Sequence, residues 1–361
     1  MTDAPILIMA GGTGGHVFPA LAVARELARR NRRVVWLGTP RGIENRLVPA
    51  AGIVLEHVRV TGLRGKGALS WLLAPLKVIV ALWDAMRIVY RQRPSVVLGM
   101  GGFASGPGGL AAWLLRRPLV IHEQNAAAGL TNRLLARFAR EVLQAFPGSF
   151  NSRIKVRTIG NPVRPELALL ESPEQRALGR TGPLRVLVLG GSQGALALNQ
   201  TVPAAAALVA PKFQLEIWHQ AGGATMQKAV DAYTAANVDA RVDPFIDDMA
   251  AAYAWADMVI CRSGALTIAE LAAVGLGAVL IPFPSAVDDH QTLNARFLVD
   301  AGAAVLIPQS KLTPAVLAAE LEVWAGDRQQ VVARATRARM LSRPDATDAL
   351  TDACLAAEAA A

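Results

Sequence analysis

A single carboxylate, Glu270, lies about one turn inside a predicted helix that follows a short apolar strand. The strand covers residues 257–261, and the turn Arg262-Ser263-Gly264 leads into the helix. Backbone N–H groups at the start of such a helix are well placed to bind a phosphate. An ionised carboxylate only accepts hydrogen bonds, so Glu270 can bind both hydroxyls of a ribose. The alternative is that Glu270 only complements the helix dipole.

More polar side chains follow the next predicted strand, residues 278–282. They are Asp288, Asp289, His290, Gln291 and Asn294. Parallel strands bring their carboxyl ends to one edge of a sheet, and ligands bind there. The stretch 256–295 therefore predicts a binding site at such an edge.

A second candidate site follows the first predicted strand, residues 5–10. The loop Gly-Gly-Thr-Gly-Gly-His ends at His16, and a helix is predicted over 19–30. This order is typical of a phosphate or nucleotide site. Val17 stands where a dinucleotide motif has its third glycine, and no Walker lysine follows. Histidine titrates near neutral pH, so His16 is a candidate proton acceptor; the alternative is a structural, hydrogen-bonded histidine.

Two further loops share this predicted pattern. A glycine-rich turn, residues 99–109, follows the strand 95–98, and the cluster His-Glu-Gln-Asn at 122–125 follows the strand 118–121. Because parallel strands deliver their carboxyl ends to one side, all three loops are predicted to converge at one sheet edge.

Length and composition indicate a two-domain protein of a reducing compartment. The chain has 361 residues, 53% of them hydrophobic, and a mean hydropathy of +0.32. Its most apolar stretch, 68–83, is interrupted by Pro75 and Lys77 and is shorter than the roughly 20 residues of a membrane span. The first residues lack the features of an export signal. Two cysteines, Cys261 and Cys354, give no disulfide framework, so a cytoplasmic location is expected.

Charge is distributed unevenly along the chain. Residues 1–160 carry 22 Lys and Arg against 7 Asp and Glu, a net charge of +15, whereas residues 161–361 have a net charge of −6. No nucleic-acid-binding signature accompanies the basic half, so a nucleic-acid partner is not expected. An anionic membrane surface is the other candidate partner.

An amphipathic helical segment is predicted over 62–93. Its apolar positions recur at spacings of three and four, and basic residues flank it on both sides. A buried crossover helix is the alternative, but the flanking cations and tryptophans favour a membrane-facing surface. The predicted membrane-facing residues are Trp71, Leu72, Leu76, Ile79 and Trp83.

The second half repeats the architecture of the first. After a proline-containing linker at 160–166 come a strand, 184–189, a glycine turn, 190–195, and a helix. The predicted fold is α/β, with two doubly wound, Rossmann-like domains facing across a cleft. The predicted domains are 1–161, 162–344 and a C-terminal helix, 345–361, that packs back on the first domain.

Eight segments in order carry a resemblance to a known family. They are GGTGGH, GMGGFASGPGG, HEQN, GNPVR, GGSQGA, FIDDM, CRSGALTIAE and HQTLNA. Together they resemble the MurG family, the UDP-N-acetylglucosamine transferases of peptidoglycan synthesis. The resemblance implies the GT-B glycosyltransferase architecture and transfer from UDP-N-acetylglucosamine to lipid I, giving lipid II by an inverting displacement. It also implies a peripheral protein on the cytoplasmic face of the inner membrane.

The resemblance assigns roles to individual residues. The implied base is His16, with Glu123 as the second candidate. The residues implied to bind the donor are Thr13, Gly14, Gly15, Asn125, Arg164, Ser192, Ile246, Ala265, Leu266, Thr267, Ile268, Ala269, Glu270 and Gln291. The loop before Gln291 varies within the family, so His290 is not assigned. No Asp-x-Asp metal motif is present, and no metal or other cofactor is expected.

Two other functions remain open from the sequence. The chain can be a related transferase for another glycolipid or a soluble acceptor, or a non-catalytic protein that binds nucleotide sugars. The basic amphipathic segment argues against a soluble acceptor. The joint presence of His16, Glu123, Asn125 and Glu270 argues against a non-catalytic protein.

Overall fold

The computed structural model describes residues 4–60, 74–191, 194–286 and 289–360. The chain divides into two compact units. The first combines Met1–Arg164 with Arg343–Ala361, and the second is Pro165–Ser342. Each unit is built on its own parallel sheet, which confirms the prediction of two Rossmann-like α/β domains.

The first unit contains a seven-stranded parallel sheet. Its strands lie in the order β3-β2-β1-β4-β5-β6-β7. They are β1 (Ile6–Met9), β2 (Val34–Gly38), β3 (Val54–His57), β4 (Val96–Gly99), β5 (Leu119–Glu123), β6 (Glu141–Gln144) and β7 (Arg157–Thr158). The central strands β1 and β4 are continuous apolar runs because both faces of the sheet are covered. The strand order reverses between β1 and β4, where doubly wound sheets bind ligands.

In the described part of the chain, five helices connect these strands. They are α1 (Gly14–Arg29), α2 (Glu44–Ala50), α3 (Ala74–Gln92), α4 (Ser105–Leu114) and α5 (Leu130–Leu135). The predicted start of the first helix at Pro19 is wrong, because α1 already begins at Gly14. In the structure Pro19 lies in the second turn, and the helix begins instead where His16 N and Val17 N donate to Thr13 O.

Helix α3 exposes a large apolar surface. Its buried side is formed by Ala81, Ala85, Ile88 and Val89, which pack in the core of the first unit. The predicted apolar face lies elsewhere on the helix: Leu76, Ile79 and Trp83 are 59%, 63% and 70% exposed. That face is therefore not part of the core. Trp71 and Leu72, predicted to continue it, lie outside the described residues.

No helix in the described part of the chain has both the length and the apolar character needed to cross a bilayer.

The second unit contains a six-stranded parallel sheet in the order β10-β9-β8-β11-β12-β13. Its strands are β8 (Leu184–Leu189), β9 (Leu215–Gln220), β10 (Arg241–Asp243), β11 (Met258–Cys261), β12 (Gly277–Leu280) and β13 (Ala304–Leu306). The strand order reverses between β8 and β11. The carboxyl ends of these two strands therefore mark the position where such a sheet binds a ligand.

Among the residues that the structure describes, nine helices surround this sheet and lead out of it. They are α6 (Pro165–Ala168), α7 (Pro173–Ala177), α8 (Leu196–Val209), α9 (Met226–Ala235), α10 (Met249–Trp255), α11 (Ala265–Val274), α12 (His290–Val299), α13 (Pro314–Gly326) and α14 (Arg328–Met340). Helix α11 ends at Val274 and is capped by Gly275, whose φ of 64° suits the left-handed cap of a helix.

The last helix, α15 (Ala346–Ala359), belongs to the first unit. Leu350 and Cys354 are fully buried in the core that also contains the inner side of α1. Around this apolar contact, Arg30 pairs with Asp348 at 2.8 Å and Arg32 pairs with Glu358. The end of the chain therefore completes one face of the first sheet.

Candidate functional site

The glycine loop after β1 is held by a buried carboxylate that the sequence analysis did not identify. Glu44 is fully buried at the start of α2, and its Oε2 accepts a hydrogen bond of 3.0 Å from Gly12 N. Its Oε1 accepts from Thr39 N at 3.0 Å and from the Thr39 hydroxyl at 2.8 Å. One carboxylate thus connects the carboxyl ends of β1 and β2. No sequence motif marks it, because two of its three donors are backbone N–H groups and Gly12 lies 32 positions away.

His16 lies in the first turn of α1, next to the loops after β4 and β5. Its Nδ1 is 3.0 Å from Gln124 Oε1. Gly101 lies against the imidazole ring, and a Cβ at this position would come within 2.9 Å of the ring atoms. At Gly102 a Cβ would come within 2.4 Å of Gly11 O. The two glycine-rich loops and the 122–125 cluster are therefore in contact, as the sequence predicts for one sheet edge.

Glu123 at the end of β5 is buried and accepts four hydrogen bonds. Its Oε1 accepts from Asn125 N at 3.0 Å and from Asn125 Nδ2 at 3.1 Å. Its Oε2 accepts from Gly129 N at 3.1 Å and from Asn132 Nδ2 at 2.9 Å. Each carboxylate oxygen thus has two donors, which occupies the usual acceptor capacity of the group. The geometry gives Glu123 a part in fixing the turn that carries Asn125.

The other predicted residues of the first unit border these loops. Thr13 precedes α1, and Gly14 and Gly15 form its first turn. Arg164 is half-buried and is the last residue of the GNPVR segment. In the same segment, Asn161 Nδ2 donates to Gln124 O at 3.0 Å, and this bond connects the segment to the 122–125 cluster. The structure therefore brings His16, Asn125 and the GNPVR segment to the same edge of the first sheet.

The second unit presents the start of α11 at the carboxyl end of β11. The predicted donor residues Ala265, Leu266, Thr267, Ile268 and Ala269 form the first turns of this helix. The first N–H groups of a helix have no acceptor within it and favour an anion. Glu270 follows on the same helix, is largely buried, and its Oε2 accepts a bond of 3.0 Å from the Tyr253 hydroxyl.

Two side chains connect this turn to its neighbours. Arg262 donates from Nη1 to Ile281 O and Pro282 O, at 3.1 Å each, and from Nη2 to Gln309 Oε1 at 2.6 Å. Burial lowers the pKa of Arg262 from its usual value. Asn294 Nδ2, fully buried on α12, donates to Ser263 O at 3.2 Å. The loop after β12 and the start of α12 are thereby fixed beside the start of α11.

Three predicted donor residues remain to be placed. Gln291 lies in the first turn of α12, where its Oε1 accepts from Phe283 N at 2.9 Å. Ile246 is buried after β10. Ser192 lies outside the described residues. Among the residues that the structure describes, no group of three or more His, Cys, Asp or Glu side chains is arranged to hold a metal ion.

Family models match both halves of the chain. The model of the glycosyltransferase family 28 N-terminal domain matches residues 6–144, and that of the family 28 C-terminal domain matches residues 185–350. The first match spans β1 to β6 with the loops around His16 and Glu123. The second match begins in β8 and contains Ile246, all of α11 and Gln291.

Full-length relatives carry one common name. A protein of Marinobacter nauticus is 55% identical over 360 residues, 99% of each chain, and is named UDP-N-acetylglucosamine–N-acetylmuramyl-(pentapeptide) pyrophosphoryl-undecaprenol N-acetylglucosamine transferase. A protein of Nitrosococcus oceani with the same name is 55% identical over 350 residues, 97% of this chain and 98% of its own.

Solved structures give a consistent result. The crystal structure of Acinetobacter baumannii MurG is 41% identical, with a TM-score of 0.86 over 98% of this chain and 99% of its own. The calicheamicin glycosyltransferase CalG4 is 18% identical, with a TM-score of 0.68 over 99% and 98% of the two chains, and so shares the fold alone.

Proposed function

Because the chain belongs to glycosyltransferase family 28, we propose that it transfers N-acetylglucosamine from UDP-N-acetylglucosamine to lipid I, forming lipid II. The observation that carries this proposal is the full-length likeness to transferases named for this reaction, at 55% identity over 99% of each chain. The acceptor is the C4 hydroxyl of the N-acetylmuramyl group, and the products are lipid II and UDP.

The reaction is a single inverting displacement. The acceptor oxygen forms a bond to the anomeric carbon of N-acetylglucosamine, and the bond from that carbon to the diphosphate breaks. The bonding electrons leave with UDP, and the hydroxyl proton passes to a base. Catalysis then requires a base aligned with the acceptor and groups that stabilise the charge of the leaving diphosphate.

His16 is the base in this proposal. It lies at the carboxyl edge of the first sheet, and its Nδ1 contacts Gln124, so the other ring nitrogen, Nε2, is the one assigned to the acceptor hydroxyl. Glu123, the second candidate, accepts four hydrogen bonds from its own loop. Taking a proton would require this carboxylate to give up at least one of those donors, which favours His16.

Donor recognition is assigned chiefly to the second unit. The N–H groups at the start of α11 would bind the diphosphate, with Arg164 and the Ser192 turn assigned to the same group by resemblance. Glu270 would accept from the ribose hydroxyls, and Ile246 would contact the uracil ring. Thr13, Gly14, Gly15, Asn125 and Gln291 are assigned to the sugar by the same resemblance.

Transfer of radiolabelled N-acetylglucosamine to lipid I is the direct test. The full chain is expected to convert UDP-N-acetylglucosamine and lipid I into labelled lipid II and UDP in equal amounts. UDP-glucose in place of the donor, and a soluble muramyl peptide in place of the acceptor, serve as controls for each substrate. Binding of UDP-N-acetylglucosamine without formation of lipid II would contradict the proposal and favour a non-catalytic binding protein.

The site of action in this proposal is the cytoplasmic membrane surface, because the acceptor carries a polyprenyl tail. Leu76, Ile79 and Trp83 form an exposed apolar strip on α3. Trp113 at the end of α4 and Phe138 after α5 are also exposed, and their ring centroids lie 4.7 Å apart. Exposed arginines accompany the second group, at positions 116, 133, 137 and 140. Exposed apolar and basic side chains together favour binding to an anionic bilayer.

The apolar strip of α3 predicts a salt-resistant part of membrane binding. Electrostatic attraction contributes about 1 kcal/mol for each Lys or Arg near an anionic leaflet and is screened by salt. Binding of the full chain to anionic vesicles should therefore weaken with salt but persist in part. The double variant Leu76→Glu, Ile79→Glu should lose the persistent part, measured by vesicle sedimentation.

A matched control uses two exposed aliphatic residues of the second unit. Leu208 on α8 and Val323 on α13 are 52% and 48% exposed. The double variant Leu208→Glu, Val323→Glu should bind vesicles like the unmodified chain. Both double variants should keep their affinity for UDP. Equal vesicle binding by the α3 variant and the control at high salt would show that α3 does not insert.

A further inference from the structure

Whether His16 can accept a proton through Nε2 depends on the tautomer of its ring. A neutral imidazole carries one hydrogen, on either Nδ1 or Nε2, and only the other nitrogen can act as a base. The hydrogen bond at one nitrogen therefore decides what the other can do. In this chain that bond comes from Gln124, whose orientation depends on a second histidine.

The second histidine, His122, is fully buried in β5. Its Nε2 is 2.9 Å from Gly160 O, and a carbonyl oxygen can only accept, so Nε2 carries the hydrogen. Burial lowers the pKa of His122 to about 4, so its ring is neutral at pH 7. The remaining nitrogen, Nδ1, is therefore a hydrogen-bond acceptor.

The Gln124 amide lies between the two histidines with only one favourable orientation. Its Nε2 is 3.2 Å from His122 Nδ1 and 3.3 Å from His122 O, both of which are acceptors. Rotating the amide by 180° would place Oε1 against these two acceptors without a hydrogen between them. Gln124 is buried, so water is not at hand to replace the lost bonds. The amide nitrogen thus faces His122, and Oε1 faces His16.

We propose that Gln124, oriented by His122, holds His16 as the tautomer with its hydrogen on Nδ1. The Gln124 oxygen, 3.0 Å from His16 Nδ1, can only accept, so Nδ1 must donate. His16 Nε2 then keeps its lone pair. Gln124 and His122 are positioning residues in this proposal, because they act on the reaction only through the ring of His16.

The neighbouring charged groups do not replace Gln124 in this role. Both oxygens of Glu123 accept from donors of its own loop, and both oxygens of Glu44 accept from Gly12 and Thr39. On the other side, the loop after β4 presents Gly101 to the ring. The group that holds the hydrogen on His16 Nδ1 in this proposal is thus the uncharged amide of Gln124.

The tautomer can be measured on the unmodified full chain by nitrogen NMR with labelled histidine. The chain has five histidines, and a spectrum of His16→Gln identifies the signals of His16. In the neutral ring, Nδ1 should show the chemical shift of a hydrogen-bearing nitrogen and Nε2 that of a nitrogen without a hydrogen. The opposite assignment, or an even mixture, would overturn the proposal without any measurement of activity.

Gln124→Met then tests the link to catalysis, since methionine has similar length but cannot accept the bond from Nδ1–H in the same way. His16 should shift towards the tautomer with its hydrogen on Nε2. The kcat for lipid II formation should fall by about 10- to 100-fold, less than the loss expected for removal of the base itself. The KM for UDP-N-acetylglucosamine should stay unchanged.

Gln227→Met is the matched control, because Gln227 lies on the exposed side of α9 in the second unit, where its Nε2 donates to Asp231 Oδ1 at 2.9 Å. It should change neither the His16 signals nor kcat. A Gln124→Met variant with an unchanged His16 tautomer, or with a raised KM and unchanged kcat, would contradict the proposal.

The catalytic consequence rests on the proposed function, but the tautomer does not. If His16→Ala keeps full turnover, His16 is not the base, and the NMR result still decides whether Gln124 sets its tautomer. If the unmodified chain shows the hydrogen on Nε2 while His16→Ala is inactive, His16 remains the base candidate and the role of Gln124 is refuted.

Discussion

Replacing His16 with alanine is expected to lower kcat for lipid II formation by about 100- to 10,000-fold, the range typical for loss of a general base. The imidazole is the only group assigned to take the proton of the acceptor hydroxyl. It is not assigned to donor binding, so the affinity for UDP, measured by calorimetry, should stay unchanged. Because His16 is only half-buried in the first turn of α1, the thermal unfolding midpoint should change little.

Glu123 provides the comparison for this prediction. Glu123→Gln keeps the size of the side chain but replaces one acceptor oxygen by an amide donor, which then faces two donors of the loop. A buried carboxylate with four bonds should be mainly structural, so this variant should lower the unfolding midpoint as well as activity. If His16→Ala keeps near-normal turnover while a folded Glu123→Gln does not, the two roles must be exchanged.

Glu270→Gln is expected to weaken UDP binding by about 1.5–3 kcal/mol, the usual value of a hydrogen bond to a charged group. In the proposed complex the carboxylate accepts from two ribose hydroxyls, whereas an amide offers only one acceptor atom. Glutamine still offers an oxygen to the buried Tyr253 hydroxyl, so the fold should be retained. Calorimetry of UDP binding to both proteins measures the difference.

A modified nucleotide makes this test specific for the ribose. The unmodified chain should bind UDP more tightly than 2′-deoxy-UDP, and this preference should largely disappear in Glu270→Gln. Discrimination between UDP-sugars should survive, because it is assigned to Asn125 and Gln291. An unchanged preference for UDP over 2′-deoxy-UDP would show that Glu270 does not contact the ribose and that its bond to Tyr253 is its main role.

Much of the candidate site could be predicted from the sequence because its polar residues lie on short segments at strand ends. The glycine loop before His16, the turn before Ala265 and the 122–125 cluster each come directly after an apolar run. Parallel strands place such segments at one edge of their sheet. The prediction therefore needed only the strand assignments and the rule for parallel sheets, and both sheets are parallel in the structure.

Roles that depend on contacts between distant residues could not be predicted in this way. Glu44 fixes Gly12 from 32 positions away, and Gln124 reaches His16 from 108 positions away. Glu123, a candidate base in the sequence, is occupied by backbone and amide donors that no motif reveals. A hydrogen bond depends on distance and direction, which a linear pattern does not specify.

The sequence by itself determined the α/β class, the two parallel sheets and the segments that form the candidate site, because periodicity and strand-end motifs are local properties of the chain. Only the tertiary structure decided which face of each element is covered. Helix α3 packs through Ala81, Ala85 and Val89, and leaves Leu76, Ile79 and Trp83 in solvent. An apolar stripe does not specify its partner. Small side chains allow close packing against a neighbouring element, and the larger side chains on another face remain exposed once the core is filled.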